Sequence, residues 1–494
     1  MVPYSFLSAR AFVLVAAGTI VAAGCATNPV TGQRQLTLVS EAQEISMGQE
    51  AAVEVRDSIG LVDDAAMQSY VSRVGLDLAS GSERPKLPWA FAVVDDPTPN
   101  AFALPGGFIF VTRGLMTLLD SEAELASVLG HEIGHVTARH SVSMISRQQL
   151  TQLGLGLGGA LFPEIQPVSQ ALGAGMLLLF LRYGRDAERQ ADELGFRYAR
   201  SDGYDVREMA DVFAALGRAS QLEGQSPLPN WLASHPAPAD RIEAARERVA
   251  AAGPQPGTPR QGRTEYLERI DGLIYGENPR NGFFRDRVFY HPDLRFQMTM
   301  PAGWQTGNFA KAVVAAEPAG TATVSLTLAG DLTPAQATER FFAQNGVESA
   351  GSSRETFNGV PAVVSGFRAT AEQGGTLQGY AAYLQHRGAT YQLLAYATTA
   401  AFSRQERALT DTIRSFAPVT SGDVLNIQPQ RIDIVRVPRQ LTLAAFDKLQ
   451  PSAIPVETLA VLNQLDGPSA SLASGSLVKR VVGDRREPAN PARR

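Results

Sequence analysis

Between residues 40 and 250 apolar positions recur at three- and four-residue steps, a spacing that predicts mostly helix. Ser40 with Gln43, Ser121 with Glu124 and Asp205 with Glu208 each read as a capping box opening a helix. One stretch breaks the helical period. Residues 89–95 and 108–112 alternate or run apolar, with Pro99, Pro105, Gly106 and Gly107 between them. That predicts two strands joined by a turn-rich loop. The run GPQPGTPRQG at 253–262 predicts a linker and the clearest domain boundary. Beyond it, strand-like runs at 321–328, 379–385 and 390–397 alternate with helical patterns at 334–344 and 403–415, an α+β arrangement. The last unit, residues 432–482, reads strand, helix, helix, strand, and a basic tail expected to be disordered follows.

Two apolar runs need separate treatment. Arg10 precedes a run over 11–24, too short to cross a bilayer, which takes about 20 residues. Charge, a short apolar core and small residues predict a secretory signal. Residues 153–181 are interrupted by Pro163, Glu164, Gln166 and Pro167, which argues against a transmembrane hairpin and for buried helices or a surface flap touching lipid or substrate. The expected organisation is a signal over 1–24, a polar tether over 25–40, a mainly helical domain with a small sheet over 41–252 and a linker over 253–283. An α+β domain of unassigned role (284–418), a small βααβ unit (425–482) and the tail (483–494) complete it.

Composition adds exclusions. The 494 residues are 44% apolar and 19% charged, so the chain is neither wholly disordered nor a many-span membrane protein. A net charge of −5 gives no sign of a nucleic-acid partner. The single cysteine, Cys25, excludes an intramolecular disulfide. It sits at the end of the apolar run, and Ala22-Ala23-Gly24-Cys25 resembles a bacterial lipobox, although Ala22 stands where Leu or Val is usual. That resemblance implies a lipid on Cys25 and a membrane-anchored chain; an ordinary cleaved signal with an incidental cysteine is the other reading. Ala26, rather than Asp, after the cysteine points to the outer membrane over the inner.

The chemistry lies in the helix that Ser121 opens, at His131-Glu132-Ile133-Gly134-His135. Four residues turn a helix about 400°, so both imidazoles leave one face, as two ligands of one metal must. Gly130 and Gly134 each cost about 1 kcal/mol inside a helix, which predicts a second backbone packed close to the motif. A catalytic zinc takes a third protein ligand and keeps one position open. His140, five residues past His135, falls about 140° around a continuous helix and reads as structural. Glu188 and Asp192, sharing a face of a later helical segment, are better placed: one carboxylate can bind metal while the other orients a histidine from behind. His291 and His386 are isolated and receive no metal role.

HEIGH, then RDAERQADELG, then SHPAPADRI, with the segment NAFALPGGFIFVTRG before them, resembles metallopeptidase family forty-eight. This zinc family contains HtpX, the mitochondrial Oma-type proteases and the CAAX prenyl proteases. NPVTG after Cys25 resembles its periplasmic lipoprotein branch, typified by BepA and LoiP. The resemblance covers about residues 28–250 and implies a zincin-like (gluzincin) protease domain holding one Zn2+. It implies His131, His135 and Glu188 as ligands, Glu132 as general base and Asp192 as the residue behind them. His235 and Arg241 are candidates at the oxyanion; His235 could instead take the fourth zinc position, or be structural. If residues 108–112 form an edge strand, an extended substrate could pair along Phe108, Ile109, Phe110 and Val111, with Asn100 nearby. The 431–482 segment is similar in layout to a LysM unit but has Pro438-Arg439-Gln440-Leu441 where Gly-Asp-Thr is usual, so glycan binding and a purely structural role stay open. The expected function is a periplasmic zinc endopeptidase acting on unfolded or misassembled envelope proteins. The alternatives are a chaperone or scaffold with a latent site, and a peptidase that binds peptidoglycan.

Overall fold

The computed structural model describes residues 25–152, 182–222, 231–236, 238–370 and 375–483. The expected signal, the interrupted apolar region at 153–181 and the tail from 484 onward lie outside the described residues. Among those described, no helix is long and apolar enough to cross a membrane.

The chain is a multidomain protein with a helical body around a small sheet, followed by a β-rich body. It starts not with a free tether but with a hairpin, β1 (Cys25–Thr27) and β2 (Arg34–Leu36), paired Cys25 to Leu36. Ser40 then opens α1 (Glu41–Ser58) with a complete capping box, and Asp64 opens α2 (Ala65–Ser80). β3 (Ala90–Val94), β4 (Ala101–Leu104) and β5 (Phe108–Thr112) form a sheet in the order β3-β5-β4, with β3 and β5 parallel. This corrects the expected two-strand reading, because the turn-rich loop itself contains a strand. β4 is buried at all four positions, so it shows no apolar–polar alternation and leaves no period-two signal.

A short helix, α3 (Arg113–Leu118), leads to α4 (Glu122–Thr137), every residue of which is buried. Ser121 accepts from Glu124 N at 3.1 Å, but the Glu124 carboxylate turns to Asp120 N, so the box is only half made. α5 (His140–Gln152) follows, and α6 (Arg185–Ser201) crosses α4 at close range. A Cβ on Gly130 would lie 3.0 Å from Gly195 O, and one on Gly195 would lie 2.7 Å from His131 N. The two helices therefore meet backbone to backbone, as the glycines predict, and this brings the HEIGH and ExxxD segments face to face. α7 (Glu208–Leu222), α8 (Trp231–Ser234) and α9 (Pro238–Ala252) complete the helical layer. Asp205 does not cap α7 as expected: its carboxylate takes Arg207 N at 3.1 Å.

The expected 253–283 linker is also corrected. It contains α10 (Arg263–Ile270), whose Tyr266, Leu267 and Ile270 are fully buried, and Tyr266 Oη donates to Met116 O at 2.7 Å. A strand at Ile274–Tyr275 pairs with the strand Gln430–Arg436, which pairs in turn with Leu477–Val482. The terminal strand–helix–helix–strand unit thus shares one apolar core with the helical body: Ile432, Phe446, Leu459 and Val481 join Leu129, Ile133 and Leu194. A unit of its size is marginal alone. Lys479, with no exposure, reaches across to the carbonyls of Thr117, Leu118 and Leu119 at 3.0–3.1 Å and to Asp120 at 2.7 Å, just ahead of α4.

The β-rich body has a four-stranded sheet and a seven-stranded antiparallel sheet. On neighbouring positions of one strand, Ala382 and Leu384 pack with Leu409 and Ile413 of the helix Thr399–Arg414, whereas Ala381 and Tyr383 pack with Phe341 of the helix Pro334–Phe342. Successive strand residues face opposite sides, so one helix covers each face of the large sheet.

Candidate active site

α4 presents His131 and His135 one turn apart toward α6, which presents Glu188 and, four residues on, Asp192. His235 follows α8, and Arg241 lies on α9. One donor atom from each of His131, His135, Glu188 and His235 lies within 4.8 Å of the others, and all four residues are buried. His131 Nε2 is 3.0 Å from His135 Nε2 and 3.4 Å from His235 Nδ1. Glu188 Oε1 lies 2.9 Å from His235 Nδ1 and 3.5 Å from His135 Nε2. Three imidazoles and one carboxylate aimed at a single buried point make a nitrogen–oxygen donor set suited to zinc.

The surroundings orient these donors. His131 Nδ1 donates to Asp192 Oδ1 at 2.8 Å, which leaves Nε2 for a metal. Asp192 receives a two-pronged Arg241 guanidinium, at 2.9 Å from Nε and 2.6 Å from Nη2. Arg241 Nη1 also pairs with Glu188 at 2.9 Å. Arg241 was expected at the oxyanion. It lies instead behind the donors, its guanidinium 4.2 and 4.3 Å from the Phe213 and Trp231 rings. Burial alone would raise the carboxyls of Glu188 and Asp192. The histidines around Glu188, and Arg241 with His131 around Asp192, outweigh it and hold both below the usual carboxylate range. Burial drives the His135 imidazole well down and that of His140 to about 4, so both stay neutral.

Glu132 is fully buried, and neither of its oxygens has a hydrogen-bond partner among the described residues; His235 Nε2 comes within 3.6 Å. A buried carboxylate without donors is costly unless something else belongs beside it. A metal with its water fits that place. Tyr183 stacks on His135 at 3.9 Å and Trp231 on His235 at 4.7 Å, closing the pocket. Sequence reasoning missed both aromatics, since neither lies in a periodic pattern that distinguishes it from ordinary core.

The substrate-strand expectation is revised. β5 pairs with β3 on one side and β4 on the other, so Phe108, Ile109, Phe110 and Val111 offer no free edge. Asn100 sits at the foot of β4, its N–H donating to Thr112 Oγ1 at 2.9 Å. Cys25 is the initial residue of β1.

Residues 65–249, which contain every member of this cluster, match the family described as Peptidase family M48. The chain is similar to the beta-barrel assembly-enhancing protease of Yersinia pestis, 32% identical over 243 residues, which are 47% of this chain and 49% of that protein. The protein of that name in Escherichia coli K12 is 30% identical over 232 residues, 45% of this chain and 47% of its own length. Mitochondrial metalloendopeptidase OMA1 of Schizosaccharomyces pombe is 31% identical over 226 residues, 44% of this chain and 65% of its own. The chain thus spans about half the length of the bacterial relatives it matches. The metal-ligand motif, the paired helices and the match to Peptidase family M48 thus all fall on the same residues, 65–249.

Proposed function

We propose that the protein is a zinc-dependent endopeptidase. It is anchored by lipid on Cys25 at the periplasmic face of the outer membrane and cleaves unfolded or misassembled envelope proteins. The observation that carries this reading is the buried cluster of His131, His135, Glu188 and His235 around one point, with the Glu132 carboxylate unpartnered beside it. The bacterial relatives' name, beta-barrel assembly-enhancing protease, supports the choice of substrate class.

His131, His135 and Glu188 would hold a zinc ion, which would supply Lewis acidity toward a water and the scissile carbonyl. Glu132 takes the proton from the attacking water and passes it to the leaving amide nitrogen. Asp192 holds His131 in the ligating tautomer, and Arg241 neutralises both carboxylates behind the donors. Among the described residues β4 pairs only with β5 in its sheet, and Pro99, two residues before it, accepts from Trp231 N at 3.2 Å, close to His235. An extended substrate therefore pairs along β4, through backbone bonds that read conformation more than sequence. His235 completes the donor set and shuts the site until substrate displaces it. That closure equally suits the second reading, an assembly scaffold with a latent protease site.

Cleavage of an unfolded model polypeptide by purified protein separates them. Glu132→Gln should lower kcat by about 10²–10⁴-fold, and His235→Ala should raise basal cleavage. Zinc without cleavage in either wild type or His235→Ala would favour the scaffold. A fall in His235→Ala would place that imidazole in the reaction rather than in latency.

A further inference from the structure

On an unbroken helix His140 would face away from His135. The helix is broken: α4 ends at Thr137, Arg139 takes a left-handed backbone (φ 58°), and α5 begins at His140. Few non-glycine residues adopt that conformation unaided. Here it is braced from the amino-terminal hairpin and α1. Asn28 Nδ2 donates to Ala138 O at 3.2 Å, while Asn28 Oδ1 accepts from Val30 N and Thr31 N at 2.9 and 3.2 Å. Arg139 Nε donates to Glu44 at 2.9 Å, and its Nη2 to Val39 O at 2.9 Å. The turn swings the His140 ring back toward the site, where its Nδ1 stands 2.9 Å from His135 Nδ1. Its other nitrogen, Nε2, is 2.9 Å from Gln190 Oε1.

We propose that His140 is a positioning residue for the metal centre, locking His135 in the tautomer that binds zinc. This rests on the metallopeptidase reading above. The protons follow one direction. Gln190 Oε1 can only accept, so His140 Nε2 carries the hydrogen and donates it. The two Nδ1 atoms face each other at 2.9 Å with room for one hydrogen between them; with the His140 ring's hydrogen at Nε2, its Nδ1 offers the lone pair and His135 Nδ1 donates. With its hydrogen at Nδ1, His135 has its lone pair at Nε2, the nitrogen that faces His131 and Glu188. The two ligating histidines are thus set differently. His131 leans on the Asp192 carboxylate, His135 on a relay through His140 that ends at the Gln190 amide. His140 is not itself a ligand, because its Nδ1 is spent on the far side of His135.

The test is the zinc dissociation constant of the whole purified chain, by competition with a chromogenic chelator, beside the thermal midpoint of the metal-stripped protein. His140→Phe keeps a ring but removes the acceptor, and should weaken zinc binding about 10–100-fold. His140→Asn restores an acceptor near the Nδ1 position and should recover most of that loss, which a purely packing role would not produce. Gln190→Leu, at a partly exposed helix position, should weaken zinc binding by less and carries the test if His140→Phe does not fold. Wild-type zinc affinity in a folded His140→Phe, or in Gln190→Leu where it stands alone, overturns the proposal. So does a His140→Asn no better than Phe. No zinc in the wild-type chain would instead overturn the metallopeptidase reading itself.

Discussion

The two bodies of the molecule bury different things. Around α4 and α6 the interior holds His131, Glu132, His135, Glu188, Asp192 and Arg241, each at most 5% exposed. In the β-rich body the buried positions are almost all apolar, with Phe289, Phe296, Leu393 and Phe416 fully enclosed. Buried ionisable groups cost free energy unless paired or bound to metal, so a fold keeps them where chemistry needs them. The β-rich interior contains no comparable cluster among the described residues. The terminal unit belongs with the helical body: its Lys479 and Gln464 grip the residues that open α4.

This contrast can be broken in graded steps. The largest effect should come from Glu188→Ala, which removes a proposed metal ligand and should cut cleavage at least about 1000-fold, read as initial rates on an unfolded polypeptide. Arg241→Met strips the cation from two buried carboxylates and should destabilise the helical body by about 3–5 kcal/mol in denaturant titration. Phe416→Ala, which removes a ring stacked 5.1 Å from Phe296, should cost the β-rich body about 3–5 kcal/mol while bound zinc stays unchanged. If zinc fell with it, the two bodies would be energetically one. The smallest effect is a slope. Burial, then Asp120, push the Glu124 carboxyl up to about 8, above its unfolded value of about 4.3. The stability it contributes is whole below about pH 4 and is lost as pH rises through about 8. Glu124→Gln should flatten the decline in thermal midpoint between pH 5 and 9, and an unchanged slope would show that other groups cause it.

How much was legible in advance follows the same division. HEIGH and ExxxD could be read because helical spacing alone puts their side chains on one face, and Gly130 and Gly134 announced the close helix crossing. Arg241 was found but given the wrong task, because a guanidinium's partners depend on which carboxylates the fold brings to it. His140 is no metal ligand, as expected, but its place beside His135 could not be read because the break at Arg139 has no local signal: its bracing comes from Asn28 and Glu44, about a hundred residues away in sequence. β4 and α10 were missed for opposite reasons, one too uniformly buried to alternate, the other following a Pro/Gly-rich run that suggested a longer linker. In the β-rich body the alternating strands were visible, but no pattern in them reported a role.

The central claim is that the buried cluster is a zinc site, and metal analysis of the purified chain tests it directly. About one zinc per wild-type chain is expected, kept in Glu132→Gln, where only the proposed base is altered, and lost in Glu188→Ala. A wild-type chain without zinc, or a Glu188→Ala chain that holds it as tightly as wild type, would contradict that claim.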